Sequence, residues 1–203
     1  MTLLAALDLL GVFVFALSGA TLAVQRRMDA FGVLFLAGVA ALGGGVARDL
    51  LLVVPVAALQ DGRYLLTPLV AGVLVFFFSP LVERLAGAVR LFDAAGLGLF
   101  VATGTRTSLE AGLGAVPAVA LGVLTGIGGG VLRDVLAGVV PVVLRREVYA
   151  VPALLGAAVV TVADGQGFSG PAPLVGAALL VFALRMLGVW QDWHAPVAPQ
   201  RRP

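Results

Sequence analysis

Gly43–Asp49 reads GGGVARD, and Gly128–Asp134 reads GGGVLRD. Each stretch lies inside a run that is otherwise almost wholly apolar. A glycine in a helix interior costs about 1 kcal/mol relative to alanine. An arginine and an aspartate in hydrocarbon cost more, and where they occur they mark a functional site by default. Both costs appear twice, 85 residues apart, which points to a duplicated unit.

The same shift of 85 aligns Asp8 with Asp93, Phe15 with Phe100, Ser18 with Thr103, Gly19 with Gly104 and Tyr64 with Tyr149. Each unit spans three long apolar runs. A three-span unit followed by its copy must re-enter a bilayer from the opposite face. The pattern predicts an inverted repeat, a design that commonly builds a pathway near the midplane from helices broken by Gly or Pro.

Composition supports a bilayer setting. Of 203 residues, 61% are hydrophobic and 12% charged, about half the charged share of a soluble domain. Mean hydropathy is +1.09. There is no cysteine, which removes thiolate metal sites and disulfides. The single histidine, His194, lies beside Trp193 and reads as an interface residue, so no metal site is expected. All 13 basic residues are arginines scattered between apolar runs, a topology pattern that excludes nucleic acid as a partner.

Runs long enough to cross a bilayer fall near 3–24, 30–53, 64–82, 91–107, 113–140, 148–163 and 172–190. The expected fold is an all-α membrane protein with seven transmembrane helices. Repeat one covers about 3–82, repeat two about 91–163, and an unpaired seventh helix about 172–190. Residues 1–194 form a single transmembrane domain, and the Pro-rich tail 195–203 is expected to be disordered. The runs are too long and unalternating for a β-barrel. The first span lacks the basic leader of a signal peptide, and its recurrence as the fourth span argues for retention.

Arginine placement sets the orientation. Arg26, Arg27, Arg84, Arg90, Arg145, Arg146, Arg201 and Arg202 fall on one face, and only Arg63 and Arg106 on the other. The positive-inside rule then puts the N-terminus outside and the C-terminus in the cytoplasm.

Depth follows from helical rise. Gly43 lies about 20 Å along the second span, so Arg48 and Asp49 approach the outer boundary, level with Asp8. By symmetry Asp93, Arg133 and Asp134 occupy matching depth on the inner side. Adjacent helical residues point about 100° apart, so Arg48 and Asp49 are not expected to neutralise each other. Asp8 is the expected partner of Arg48, and Asp93 of Arg133, giving one charged cluster near each mouth.

The triplets Gly43, Gly44, Gly45 and Gly128, Gly129, Gly130 are expected to kink the second and fifth spans. Carbonyls freed there would line a pore or substrate path and favour a cation. Replacing Gly44 and Gly129 by alanine should then straighten both spans and leave the fold intact. The competing reading is close helix packing on small residues. Ser18 and Thr103, near the membrane centre, either line the path or bond to their own helices. Arg185 is expected to snorkel to the surface beside the anchors Trp190 and Trp193. Arg106 is either a topology residue or a voltage-sensitive charge. Glu83 and Glu147 read as loop charges.

Seven helices arranged as three plus three plus one, with Gly-Gly-Gly-x-x-Arg-Asp in the second and fifth, resemble the prokaryotic members of the trimeric intracellular cation channel family. The resemblance runs from about Leu3 to Trp193. It implies a homotrimer in the cell membrane, with a potassium- and sodium-conducting pore in each protomer lined by the Gly-kinked second and fifth helices. Similar bacterial proteins have also been labelled putative glycine transporters. Two function classes therefore stay open, a channel with a continuous wet path and a secondary transporter of a small solute. In either, Asp8 and Asp93 attract or couple cations. No cofactor is implied. An enzyme is not expected, since no nucleophile–base pair or metal cluster is visible and no residue is catalytic.

Overall fold

The computed structural model describes residues 2–80, 87–145, 149–191 and 193. Arg84, Arg146, Arg201, Arg202, Glu83, Glu147, His194 and the tail 195–203 lie outside these, as does the Arg145 side chain. Among the described residues the chain forms helices α1 (Leu3–Gln25), α2 (Ala30–Leu51), α3 (Ala57–Gln60), α4 (Gly62–Phe77), α5 (Ala88–Glu110), α6 (Ala115–Leu136), α7 (Val142–Arg145), α8 (Ala150–Gly165) and α9 (Pro171–Trp190). Of these, α1, α2, α5, α6 and α9 are long and apolar enough to cross a membrane, and α4 and α8 are shorter apolar helices.

Local chemistry sets the boundaries. Asp29 caps α2 by accepting from the Gly32 amide at 2.8 Å, and Asp61 caps α4 through the Arg63 amide at 3.0 Å. Side-chain oxygens thus satisfy amides that the first helical turn leaves bare. Pro171 opens α9, where its missing N–H costs nothing. The second and fifth spans stop earlier than their hydropathy suggests. A left-handed residue ends each, Val53 at φ 56° and Gly138 at φ 70°, and the next amide returns to the carbonyl of Asp49 or Asp134. Arg27 at φ 55° and Gly112 at φ 87° close α1 and α5 in the same way.

The interior is built from pairs of helices. Helix α1 packs on α2, α4 and α5, and α5 in turn on α6, α8 and α9. The order of contacts fixes direction. Along α1, Asp8 meets Thr103, Gly11 meets Phe100, Phe15 meets Gly96, and Ser18 meets Val89. Positions descend on α5 as they rise on α1, so the two helices run antiparallel. Helices α2 and α6 do the same, with Gly44 against the Thr125 carbonyl and Gly129 against the Ala40 carbonyl.

Both glycine triplets lie within unbroken helices. No break in helix assignment falls at either triplet. A Cβ built on Gly44 or Gly129 would fall well inside contact distance of the opposing carbonyl oxygen. These two glycines let two backbones touch, which is the small-residue packing common between membrane helices. The expectation that alanine at Gly44 and Gly129 leaves the fold intact is therefore corrected.

The burial pattern is inside out relative to a soluble protein. Phe31, Phe77, Val116 and Trp190 are 73–83% exposed, while Asp8, Arg48, Asp93 and Arg133 are at most 8% exposed.

Candidate functional site: two charged clusters

The first cluster forms where α1, α2, α4 and α5 meet. Asp8 accepts from the Tyr64 hydroxyl at 3.0 Å through Oδ2 and from the Thr103 hydroxyl at 2.9 Å through Oδ1. Arg48 donates from Nε to Asp49 Oδ1 at 2.8 Å, and its Nη1 stands 3.8 Å from Asp8 Oδ1. Asp49 Oδ2 accepts from the Ala57 amide at 2.9 Å and so holds the start of α3.

The second cluster repeats these contacts 85 residues on. Arg133 donates from Nε to Asp134 Oδ1 at 2.8 Å, and Asp134 Oδ2 accepts from the Val142 amide at the start of α7. Arg133 Nη1 donates to Asp93 Oδ1 at 2.9 Å and also to the Ser18 hydroxyl. The Ser18 hydroxyl in turn donates to the Val89 carbonyl at 3.3 Å. Asp93 and the Tyr149 hydroxyl both lie against the face of Gly130.

The expected pairs Asp8–Arg48 and Asp93–Arg133 are thus both present, the second much tighter than the first. The expectation that Arg48 and Asp49 do not neutralise each other is corrected, and equally for Arg133 and Asp134. Their Cβ atoms diverge, but the arginine stem is long enough to fold its Nε back onto the neighbouring carboxylate. Ser18 and Thr103 bond neither to their own helices nor to open space. Each crosses to the opposite unit's cluster, Ser18 to Arg133 and Thr103 to Asp8.

Of the glycines, Gly45 and Gly130 face the clusters, whereas Gly43, Gly44, Gly128 and Gly129 sit between α2 and α6. Beside each cluster is a cavity, about 20 Å³ at the first and about 10 Å³ at the second. Nine lining positions of the second correspond to lining positions of the first by the same shift, from Leu42 and Ile127 to Tyr64 and Tyr149. Spaces of this size suit about one water each. Between the clusters, Phe15 and Phe100 stack with centroids 5.2 Å apart and are 0% and 2% exposed. Asp8 and Ser18 are ten residues apart on α1, which puts the clusters about 15 Å apart.

Sequence reasoning missed three members, Tyr64, Tyr149 and Arg185. Arg185 on α9 is 1% exposed, with its guanidinium carbon 4.6 Å from the Tyr149 ring centroid. The expectation that it snorkels to the surface is corrected: it enters the second cluster by stacking on an aromatic face. The available signal was Tyr149 itself, aligned with Tyr64 but lacking any assigned role. Arg106 pairs with Glu110 at 2.8 Å and with Asp164 of α8.

Ionic clusters enclosed by helices whose outer faces are apolar define an integral membrane protein with a charged interior. The family model described as Glycine transporter matches twice, at residues 5–80 and 90–164. A UPF0126 membrane protein of Deinococcus radiodurans is 42% identical over 194 residues, covering 94% of this chain and 90% of its own. A UPF0126 inner membrane protein of Escherichia coli K12 is 38% identical over 152 residues, covering 74% of this chain and 73% of its own. The crystal structure of the trimeric intracellular cation channel orthologue from Rhodobacter sphaeroides superposes with a TM-score of 0.88 at 38% identity, covering 94% of this chain and all of that one. The chain belongs to the prokaryotic branch of the trimeric intracellular cation channel family, related to the proteins described as glycine transporters. These relatives are channels and membrane proteins, not enzymes.

Proposed function

We propose that this protein is a monovalent cation channel of the inner membrane, conducting potassium and sodium through a path in each protomer of a homotrimer. The path runs between α1, α2, α5 and α6, from the Asp8–Arg48 cluster past Phe15 and Phe100 to the Asp93–Arg133 cluster. Residues 1–194 form one transmembrane domain of seven spans, in which the two three-helix units are inverted, with the N-terminus outside and residues 195–203 as a cytoplasmic tail. The antiparallel runs of α1 on α5 and of α2 on α6 favour this inversion. The family assignment supports the cation and the trimer.

One observation carries the reading. Two equivalent carboxylate–guanidinium clusters lie buried at separated levels of one helix pair, each beside a water-sized cavity. Salt bridges buried for stability alone repay little of their desolvation. Charges retained twice in register are better explained by a polar path that widens on opening. In the closed form each guanidinium is neutralised by its carboxylates and does not act as an unpaired barrier to cations.

A secondary transporter of a small solute such as glycine is the second reading. It is favoured by the description of the family model and by two small cavities at separate levels, which suit alternate exposure. Purified protein in liposomes, assayed for potassium flux and for glycine uptake, separates the two. Potassium flux without glycine uptake supports the channel, and saturable glycine uptake without potassium flux overturns it.

A further inference from the structure

The residues that follow each Arg-Asp pair fold back onto the cluster. After α2 the chain turns at Val53, where φ is 56°, and runs through Pro55 into α3 before Asp61 caps α4. Val56, Ala57 and Ala58 line the first cavity together with Asp8, Arg48 and Tyr64. The second unit repeats the arrangement. Its chain turns at Gly138, where φ is 70°, and Pro141, Val142 and Val143 line the second cavity at the positions of Val56, Ala57 and Ala58.

Little apolar surface holds the first of these segments down. Ala58 is buried, but Val53 is 91% and Leu59 75% exposed, and the short α3 packs on α2 and α4. Its start is tied by a charge-assisted bond, from the Ala57 amide to Asp49 Oδ2 at 2.9 Å. The other oxygen of the same carboxylate accepts from Arg48 Nε at 2.8 Å. Arg48 Nη1, 3.8 Å from Asp8 Oδ1, makes no hydrogen bond. One carboxylate therefore joins the backbone of the covering segment to the arginine of the cluster. Segments with few buried apolar contacts open locally at far less cost than the whole molecule.

We infer that residues 53–60 are a lid over the first cluster, latched by the bond from the Ala57 amide to Asp49, and that releasing the latch admits water and monovalent cations to Asp8. Asp49 is a positioning residue: one oxygen holds the lid and the other holds Arg48. Lifting α3 takes away the amide that this carboxylate accepts, so lid opening and movement of Arg48 are linked. The passage of cations rests on the channel reading, whereas the cover itself can be read without any ion current. The latch can be removed alone. Ala57 is the first residue of α3, where proline is tolerated because that amide has no partner within the helix. Val56 before it is extended, with φ −63° and ψ 116°, the conformation that a following proline favours. Ala57→Pro thus deletes the donor and keeps the backbone path of the lid.

Thiol labelling tests this, since the chain has no cysteine of its own. Val12, which is buried, lines the first cavity, and Ile127 lines the second. Val12→Cys and Ile127→Cys are made separately and placed in nanodiscs, which leave both membrane faces open to a cationic methanethiosulfonate reagent. With the lid latched, Val12→Cys should label far more slowly than Gln60→Cys, at an exposed position. Ala57→Pro should speed labelling of Val12→Cys by about tenfold or more, as expected for losing a hydrogen bond to a charged group. It should leave Ile127→Cys unchanged. Pro55→Gly, at an exposed position outside the cavity lining, frees the open lid and should speed labelling by about two- to fivefold. In liposomes Ala57→Pro should also raise potassium flux. If Ala57→Pro does not fold, Pro55→Gly decides. A Val12→Cys rate that neither variant changes, a rise equal to that at Ile127→Cys, or a parent rate matching Gln60→Cys overturns the inference. Faster labelling without potassium flux in any form supports the lid and overturns the channel reading.

Discussion

Phe15 and Phe100, equivalent residues of the two units, stack on each other with centroids 5.2 Å apart and ring planes 19° apart. Contact between residues that the 85-residue shift aligns is what the proposed inverted arrangement requires near its axis. Gly44 obeys the same rule, since a Cβ built on it would lie 3.4 Å from the amide nitrogen of its counterpart Gly129. The Phe pair is buried between the charged clusters on the proposed path. Phe15→Leu and Phe100→Leu keep the position apolar but remove the stack. Each should raise potassium flux in liposomes severalfold at the cost of roughly 1 kcal/mol of aromatic pairing. Unchanged flux in both variants would place the seal elsewhere.

The glycine contacts predict a sharp contrast among alanine substitutions. At Gly44 or Gly129 a methyl group meets a backbone carbonyl that cannot move aside, so the helices must part. Each variant should lose about 1–3 kcal/mol, the usual cost of overpacking. Gly38 on α2 and Gly176 on α9 face open space. Alanine there should leave stability unchanged or raise it by up to about 1 kcal/mol through helix propensity. Thermal unfolding in detergent reads all four. Equal behaviour at the four sites would contradict the packing role.

The two arginines should differ in how strongly they couple to their aspartates. Double-mutant cycles with alanine should give a coupling of about 1–3 kcal/mol for Arg133 with Asp93, and well under 1 kcal/mol for Arg48 with Asp8. The contacts at 2.9 and 3.8 Å set that order. Equal couplings, or a larger one at Asp8, would contradict the tight and loose assignment.

Val53 and Gly138 occupy the same left-handed cap in the two units. A β-branched side chain there is strained by about 1–2 kcal/mol, and glycine is not. Val53→Gly should therefore stabilise the protein by roughly 1 kcal/mol, and Gly138→Val should destabilise it by a similar or larger amount. Val53 is 91% exposed, so little packing is lost on shortening it. A drop in unfolding temperature for Val53→Gly would count against the strain.

Much of this architecture was legible in the sequence for physical reasons. Long apolar runs announce helices, and a shift that aligns Asp8, Gly43–Gly45 and Arg48 with their copies announces a duplication. The Asp8–Arg48 and Asp93–Arg133 pairs followed from matched depth alone. What escaped notice depended on side-chain reach and on which faces meet. Counting 100° per residue separates Arg48 from Asp49 but ignores an arginine stem long enough to bring its Nε within 2.8 Å. Propensity read the glycine triplets as breaks, because it weighs a helix alone and not the partner backbone that demands the missing methyl. Ser18 and Thr103 exchange clusters, which only the antiparallel contact of α1 with α5 can decide. Arg185 looked like a surface residue because hydropathy does not say which face of α9 turns inward.

The most direct measurement is a recording from the purified parent protein in a planar bilayer with potassium as the sole permeant cation, alongside radiolabelled glycine uptake into liposomes from the same preparation. The account predicts discrete unitary potassium currents and glycine uptake no greater than in protein-free liposomes. Saturable glycine uptake with no resolvable unitary current would contradict it.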